Sequence, residues 1–529
     1  MADRQPSHDI TIYARHGLRL TRALTGLGDR GLNVLVARLI NGRAEIRRLL
    51  LVILGLAALG ASQSENHRFG QHWGLPEGAL TALLLAFALA LFGAAVAPPL
   101  DLRLFKRAPR TILGAAVVCA LVLAGHSGGQ IQRVTDRLIH RAPFSNDAVT
   151  MSSCATDILI NGQTPARMRG VLATLHNHNP YEGANIIRCL WQHGYYLNGD
   201  LTTPLQQRDF SGVYNYPSKR SLDRELRYVG LHNITHPKEF EWQISYPSGS
   251  FLVPGLAWLL GITDLRLLFV LCFIGAYTVV LIGAPRRLWP WIVLITYINM
   301  VVWTNAASGA SDALYLLFVL IGWKSRRHTL LSSVAMGLAA TIRQQAWFFL
   351  LPYAILITRQ HGPRELWLRG RVVGGIFLLT NLPFFLLSPG AWVSGILSPV
   401  VDPMFALGSG IIAPILGAAD WSNKLVPLPP RPFFGALEFV ALVLCLVTYA
   451  RVCRRWPHLG LILAVVPLFL AWRSLFSYFY PVSILALAAV VELSTGETAP
   501  KQVSGTTRGT RIRPMAVRVA RSEHLDLSA

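Results

Sequence analysis

Asn146-Asp147 stands immediately ahead of an apolar-periodic stretch, Ala148–Ile160, so the Asp147 carboxylate lies at a helix start. A carboxylate held there can take a proton from a hydroxyl group, and Asn and Asp are also the residues that cap helices; either role, or both, fits the position. Asp157 follows ten residues on, nearly three turns along the same helix, as a substrate-binding acid or as part of a solvated face. Glu239 and Glu241 precede Tyr246-Pro247. Glu241 is a candidate second carboxylate; the plainer reading is two surface acids. Asp312 opens another apolar run, where it orients a substrate or simply begins a span. Arg343, followed by Gln344-Gln345, sits in an apolar stretch, where a charge is costly unless it is paired or at an interface. Its planar donor fork suits a phosphate, with snorkelling to the surface as the other reading. Arg473, within Trp472-Arg473-Ser474-Leu475-Phe476-Ser477-Tyr478, follows the same logic, and Tyr478 joins it as a candidate binding residue.

The elements that must position these residues are membrane helices. Of 529 residues 52% are hydrophobic and only 14% charged, with mean hydropathy +0.42, whereas a soluble domain carries about 25% charged residues. Apolar runs of about 15–20 residues recur along the chain, as membrane-spanning helices require. The net charge of +22 would suggest nucleic acid in a soluble protein. Here it resides in clusters between apolar runs, Arg43/Arg47/Arg48, Arg103/Lys107/Arg108/Arg110, Arg286/Arg287, Lys324/Arg326/Arg327 and Arg451/Arg454/Arg455. Such clusters hold loops on the cytoplasmic side and meet anionic lipid head groups; no nucleic-acid partner is expected.

The charge rule gives an explicit topology. Residues 1–46 read as a basic cytoplasmic segment with no cleaved signal peptide and with interfacial-helix character. Spans follow at about 47–62, 78–97 and 111–126. The long polar segment 127–247 then lies outside. The apolar stretch 249–262 is too short to cross and is read as dipping into the outer leaflet. Further spans are expected at about 266–284, 288–304, 311–323, 329–342, 345–358, 371–388, 434–453, 459–473 and 477–494. A second outer loop, 389–432, carries Asp402 and Asp420, and a disordered tail occupies 495–529. The expected fold class is therefore all-α, a polytopic bundle of about twelve spans with both termini inside. Cys154 and Cys189, the two cysteines of the long loop, either form a disulfide in an oxidising compartment or remain buried thiols. His193, His232 and His236 make no metal-ligating pattern, and no P-loop or Rossmann fingerprint occurs.

Four stretches resemble the GT-C superfamily of membrane glycosyltransferases. Ser145-Asn146-Asp147-Ala148-Val149 followed by Asn161-Gly162-Gln163-Thr164-Pro165 is similar to the family's first outer loop, where an Asp opens a helix ending in a Gly-x-x-Pro turn. Tyr246-Pro247-Ser248-Gly249 through Leu260-Gly261 to Asp264 and Arg266 resembles its membrane-dipping helix and the span after it. Ala310-Ser311-Asp312-Ala313-Leu314, ending in Lys324 to Arg327, and Gly337-Leu338-Ala339-Ala340-Thr341-Ile342-Arg343 to Pro352 resemble two later outer turns with their helices. The resemblance covers roughly 110–495. The chain departs from it in having two spans, within 47–110, ahead of the long loop, and in lacking a paired acidic motif beside Asp147.

The resemblance implies an enzyme of a catalytic module 111–494 that transfers a hexose or pentose, with inversion, from a polyprenyl-phosphate sugar. The acceptor would be a glycolipid, glycan or protein outside the cytoplasm. Asp147 is then the base, Arg343 and Arg473 hold phosphate, and Asp157, Asp312, Glu241 and Tyr478 bind substrate. Some members of the superfamily use a divalent ion, so Mg2+ or Mn2+ is a candidate cofactor. Arg/Ala/Leu-rich usage points to a bacterial plasma membrane. The competing readings are a lipid-linked sugar flippase, though no inverted repeat is evident, a polyprenyl-diphosphate-dependent glycan ligase or polymerase, whose large loop usually comes late, and a structural scaffold.

Overall fold

The computed structural model describes residues 44–72, 74–97, 109–140, 147–162, 170–182, 185–186, 189, 244–401, 407–421 and 429–496. Glu239, Glu241, Asp402, Asn146, the three loop histidines and the tail lie outside the described residues, as does the side chain of Asp420. What is described is an all-α membrane helix bundle with one two-stranded parallel bridge.

Among the described residues eighteen α-helices follow in chain order: α1 Ala44–His72, α2 Leu75–Val96, α3 Pro109–Ile139, α4 Asp147–Asn161, α5 Val171–Asn177, α6 Gly249–Leu259, α7 Leu265–Ile282, α8 Trp289–Ile298, α9 Met300–Ser308, α10 Asp312–Lys324, α11 Thr329–Ile342, α12 Gln345–His361, α13 Pro363–Leu387, α14 Pro389–Val401, α15 Ile412–Trp421, α16 Arg431–Val452, α17 Leu459–Leu463 and α18 Pro481–Ser494. Strand β1, Leu407–Gly408, pairs with β2, Arg473–Ser474.

Among the described residues six helices are long and apolar enough to cross a membrane, in Leu75–Val96, Arg110–Ile139, Leu265–Ile282, Pro363–Leu387, Arg431–Val452 and Phe476–Ser494. The run expected at 288–304 is broken at Asn299 into α8 and α9, bent by 53°. It makes a seventh span if the two are counted together. The runs at 311–323, 329–342 and 459–473 form shorter helices: α10 has 13 residues, α11 has 14 and α17 has 5. At 1.5 Å per residue α10 and α11 reach only about 20 Å, against roughly 30 Å of hydrocarbon. The long loop also starts later than the composition suggested. No proline interrupts residues 110–139, and α3 continues through the mixed stretch Gly125–Ile139.

Burial sorts the helices. In α18 nearly every side chain from Pro481 to Val491 is buried, so it is the axis about which α1, α2, α7 and α10 pack. In α3, α13 and α16 few apolar side chains are buried and many are exposed, including Leu121, Leu379 and Leu444, the pattern of a lipid-facing surface rather than a soluble one. Helix α6 is eleven residues long, with Leu256 and Leu259 exposed and Phe251 fully buried. That agrees with a helix lying at the rim rather than spanning. Its first residue, Gly249, is packed so closely on α11 that a Cβ would meet the Thr341 carbonyl at 2.6 Å.

A second, smaller core joins α4 to the far end of α13. It contains Met151, Cys154, Ile158, Tyr181, Cys189, Phe251 and Phe384. Cys154 and Cys189 are bridged there, with Cα atoms 5.8 Å apart, so the disulfide alternative holds. Among the described residues, members of several basic clusters gather at one end of the bundle. Arg287 pairs with Glu45 at 2.9 Å, and Arg48 and Arg326 both act on His458. Asp312 and Arg343 lie at the opposite ends of α10 and α11 from Lys324 and Thr329.

Candidate functional site

The site is built on the antiparallel pair α10–α11. Asp312 is the first residue of α10 and Arg343 the first beyond α11, so the hairpin returns Arg343 to the level of Asp312. Arg343 is extended, with φ −149° and ψ 145°. This ends α11, turns the chain into α12 and aims the guanidinium inward. Both side chains are buried, and Arg343 Nη1 donates to Asp312 Oδ1. Arg343 Nη2 donates to the Tyr246 hydroxyl at 2.7 Å, and the guanidinium carbon lies 4.4 Å from the centre of that ring. A desolvated cation gains most from such a ring contact.

Tyr246 is held in place from three sides. The Gln344 amide donates to Ser245 O at 2.6 Å and to Ile396 O at 3.1 Å. The Tyr181 hydroxyl donates to Tyr246 O at 2.8 Å, and Tyr181 packs on Phe251 and Phe384 in the disulfide-bearing core. Ser248 Oγ donates to Thr380 O at 2.8 Å, while Ser248 N donates to Asn381 Oδ1 at 3.1 Å. The loop disulfide, the start of α6 and the ion pair are thus one connected assembly.

Around the pair stand three more tyrosines. Tyr315, one turn into α10, and Tyr480, at the start of α18, are fully buried. The Tyr315 hydroxyl has no hydrogen-bond partner among the described residues. The Tyr480 hydroxyl lies toward the Asp312 carboxylate without a well-formed hydrogen bond. Both rings are close enough to feel the charges of Asp312 and Arg343. Tyr478 acts on Arg343 and Tyr315 from the same side. Ser311 Oγ is also buried without a partner among the described residues. Buried hydroxyls are ordinarily satisfied, so this end of the bundle concentrates donors and acceptors that the fold itself does not use.

Helix α4 delivers its N-terminus to this region. Val149 packs against Gly309, which has φ +89° and lies three residues before Asp312; the side chain of Arg266 packs there as well. Arg266 is buried and paired with Asp264, its Nη2 donating to Oδ2 at 2.7 Å. Asp147 is the first residue of α4, two positions before Val149, and its side chain lies outside the described residues. Asp157 is buried farther along the helix and accepts from Asn161 Nδ2 at 2.5 Å. Ten residues of rise separate it from Asp147 by about 15 Å, so it stands apart from the helix start. Arg473 is fixed in the β1–β2 bridge opposite Leu407, and Tyr478 connects that segment to Arg343.

Of the candidates read from the sequence, Asp312, Arg343 and Tyr478 come together, with the start of Asp147's helix beside them. Arg343 has a carboxylate and a phenol as partners, so its charge is already compensated. Arg266, Tyr315 and Tyr480 were missed as site residues. Arg266 had a visible signal, a cation two residues after Asp264 at the head of an apolar run; the two tyrosines read as ordinary core aromatics. Among the described residues no group of three His, Cys, Asp or Glu side chains could hold a metal ion. Compared with family models, with curated proteins and with solved structures, the chain matches none.

Proposed function

We propose that the chain is a GT-C-like membrane glycosyltransferase that moves a sugar from a polyprenyl-phosphate donor to an acceptor hydroxyl at the end of the bundle remote from the basic clusters. The observation that supports it is the meeting of α4's N-terminus with the Gly309 turn, beside two buried arginines, Arg266 and Arg343. The twelve-span topology and the bacterial inner membrane belong to the same proposal, with Lys324–Arg327 at the cytoplasmic surface. Helices of about 20 Å starting there would leave the Asp312–Arg343 pair about 10 Å short of the far surface of a roughly 30 Å core. A site at that depth suits a substrate delivered by lipid.

In the reaction the acceptor oxygen attacks the anomeric carbon and Asp147 takes its proton. The bond from that carbon to the phosphate oxygen breaks, and polyprenyl phosphate leaves with the electron pair. Arginine positioned where this charge develops lowers the barrier. Arg266, whose side chain meets the Gly309 turn beside Val149 of α4, is the favoured group for that role, with Arg473 from the outer segment. Asp312 and Tyr246 hold Arg343 in place at the side of the site. Membrane lipid solvates the rest of the donor.

Asp147→Asn tests the assignment, because Asn caps a helix about as well as Asp but is no base. Purified protein in lipid is offered a panel of labelled polyprenyl-phosphate sugars with glycolipid, glycan and peptide acceptors. Transfer falls by about 10²–10⁴-fold while donor binding persists. Transfer at the wild-type rate would sink Asp147 as base. Parallel reactions with EDTA, then with Mg2+ or Mn2+ restored, read whether a divalent ion takes part. Movement of lipid-linked sugar across vesicles without a new glycosidic bond replaces this reading with transport.

A further inference from the structure

Asn299 is a buried polar residue in the apolar middle of the bundle, away from the site above. Its backbone, with φ −77° and ψ 66°, is not helical, and the run 286–306 bends there by 53°. In hydrocarbon the backbone groups that a break frees must find partners inside the protein. Thr296 O accepts from Trp303 Nε1 at 3.0 Å, and Asn299 Oδ1 accepts from Val302 N at 3.4 Å.

The rest of the amide reaches other helices. Asn299 Nδ2 donates to the Tyr277 hydroxyl of α7 and to Ser483 Oγ of α18, both at 2.9 Å. Val302 N–H can only donate, so it faces Oδ1, which leaves Nδ2 facing the two hydroxyls. Ser483 Oγ donates its own proton to Tyr480 O at 2.7 Å, so toward Asn299 it can only accept.

Each partner leads to the site. Tyr277 stands three turns along α7 from Arg266, and Val270 and Phe273 continue the same buried face between them. Helix α9 runs antiparallel to that face, from Asn299 beside Tyr277 to Gly309 beside Arg266. Its nine residues span about 13 Å, and Gly309 then meets both Arg266 Cγ and Val149 of α4. Ser483 holds the backbone of Tyr480, whose ring lies 6.0 Å from that of Phe273 between centroids and whose hydroxyl lies toward Asp312.

We propose that Asn299 is a positioning residue of the transfer site. By tying the broken helix to α7 and α18 it sets the level at which the Gly309 turn meets Arg266 and α4, and it holds Tyr480 against Asp312. This role rests on the transfer reading above. Asn299 is a helix length from the turn, so it acts through α9 and not on the donor. A shift of about 1 Å at the reacting groups is enough to cost roughly 10²-fold in rate. Alignment that matters only in the transition state lowers kcat and kcat/KM together and leaves KM alone.

The test uses the purified full chain in lipid, with two variants. Asn299→Ala removes the amide. Tyr277→Phe combined with Ser483→Ala keeps Asn299 and its cap on Val302 and removes both hydroxyl partners. Kinetics are measured with the labelled polyprenyl-phosphate sugar that gives most product with wild type in the panel above, and rates are divided by the folded fraction. Both variants lose at least about tenfold in kcat, with the KM for donor within about threefold of wild type. Amide hydrogen exchange, read by mass spectrometry, supplies a measurement that needs no activity. Peptides covering 300–311 exchange at least about tenfold faster in both variants, while those covering α13 do not change.

Wild-type kcat in a folded variant overturns the proposal, as does a loss that vanishes on correction for folded fraction. Unchanged exchange over 300–311 overturns it as well. If wild type forms no glycosidic bond while exchange over 300–311 still responds, the transfer reading fails and the coupling of Asn299 to the Gly309 turn stands. Either variant decides the matter alone if the other does not fold.

Discussion

Val149 and Gly309 are in such close contact that a Cβ at position 309 would lie 2.9 Å from Val149 Cγ1. This contact joins the helix that Asp147 begins to the turn that leads into Asp312. The φ of +89° at Gly309 belongs to the region that favours glycine. Gly309→Ala therefore meets strain and a clash together, at about 1–3 kcal/mol. Sugar transfer should fall at least tenfold while the Asp312–Arg343 pair is untouched. Thermal unfolding and a transfer assay measure the two effects, and a Gly309→Ala protein with wild-type activity would show that the α4 contact does not position the site.

Asp312 and Arg343 should respond as a buried pair. Removing one partner strands the other charge at about 3–5 kcal/mol, whereas replacing both with apolar groups is far less costly. Asp312→Ala or Arg343→Ala should lower the denaturation midpoint markedly, and Asp312→Leu with Arg343→Met should recover most of the loss. If Arg343→Ala keeps wild-type stability and loses only donor binding, Arg343 is a phosphate ligand and not a structural partner of Asp312.

The Cys154–Cys189 bridge closes a separation of 35 residues, for which the loop-entropy relation gives about 4 kcal/mol. Digestion without reduction should release one joined peptide, and Cys189→Ser should loosen the packing of Tyr181 beneath Tyr246. Recovery of both cysteines alkylated from unreduced, denatured protein would exclude the bridge.

Orientation in the membrane is open to direct labelling. Single cysteines at Ser211 and Ser325 are treated with an impermeant reagent on intact cells. Position 211 should react from outside and 325 only after permeabilisation, because the basic run at Lys324–Arg327 is retained on the cytoplasmic side. The reverse pattern would invert the topology and move the transfer site to the wrong face.

Much of the architecture was legible as composition. Apolar runs locate the helices because hydrocarbon tolerates little else, and the helix starts at Asp312 and Leu265 fall where the runs begin. The short length of the 249–262 run already separated α6 from the spans. Run length alone does not fix how far a helix reaches. Residues 311–323 and 329–342 form helices only about 20 Å long, which in the proposed topology leaves the Asp312–Arg343 pair below the surface. Helix α3 outruns its apolar segment because helix continuation needs backbone propensity, not hydrophobicity.

The sequence by itself determined which polar residues exist among the apolar runs, and it placed Asp147, Asp312 and Arg343 at helix ends. Periodicity and capping are local, so they can be read locally. Only the tertiary structure decided that Arg343 answers Asp312 and Tyr246, that Cys154 meets Cys189, and that Tyr315 and Tyr480 stand against the pair. Those partners are 31, 97 and 35 residues apart in the first three cases. Contacts at that separation depend on how α10 and α11 return alongside each other and how the outer core packs beneath Tyr246, and no spacing along the chain encodes that geometry.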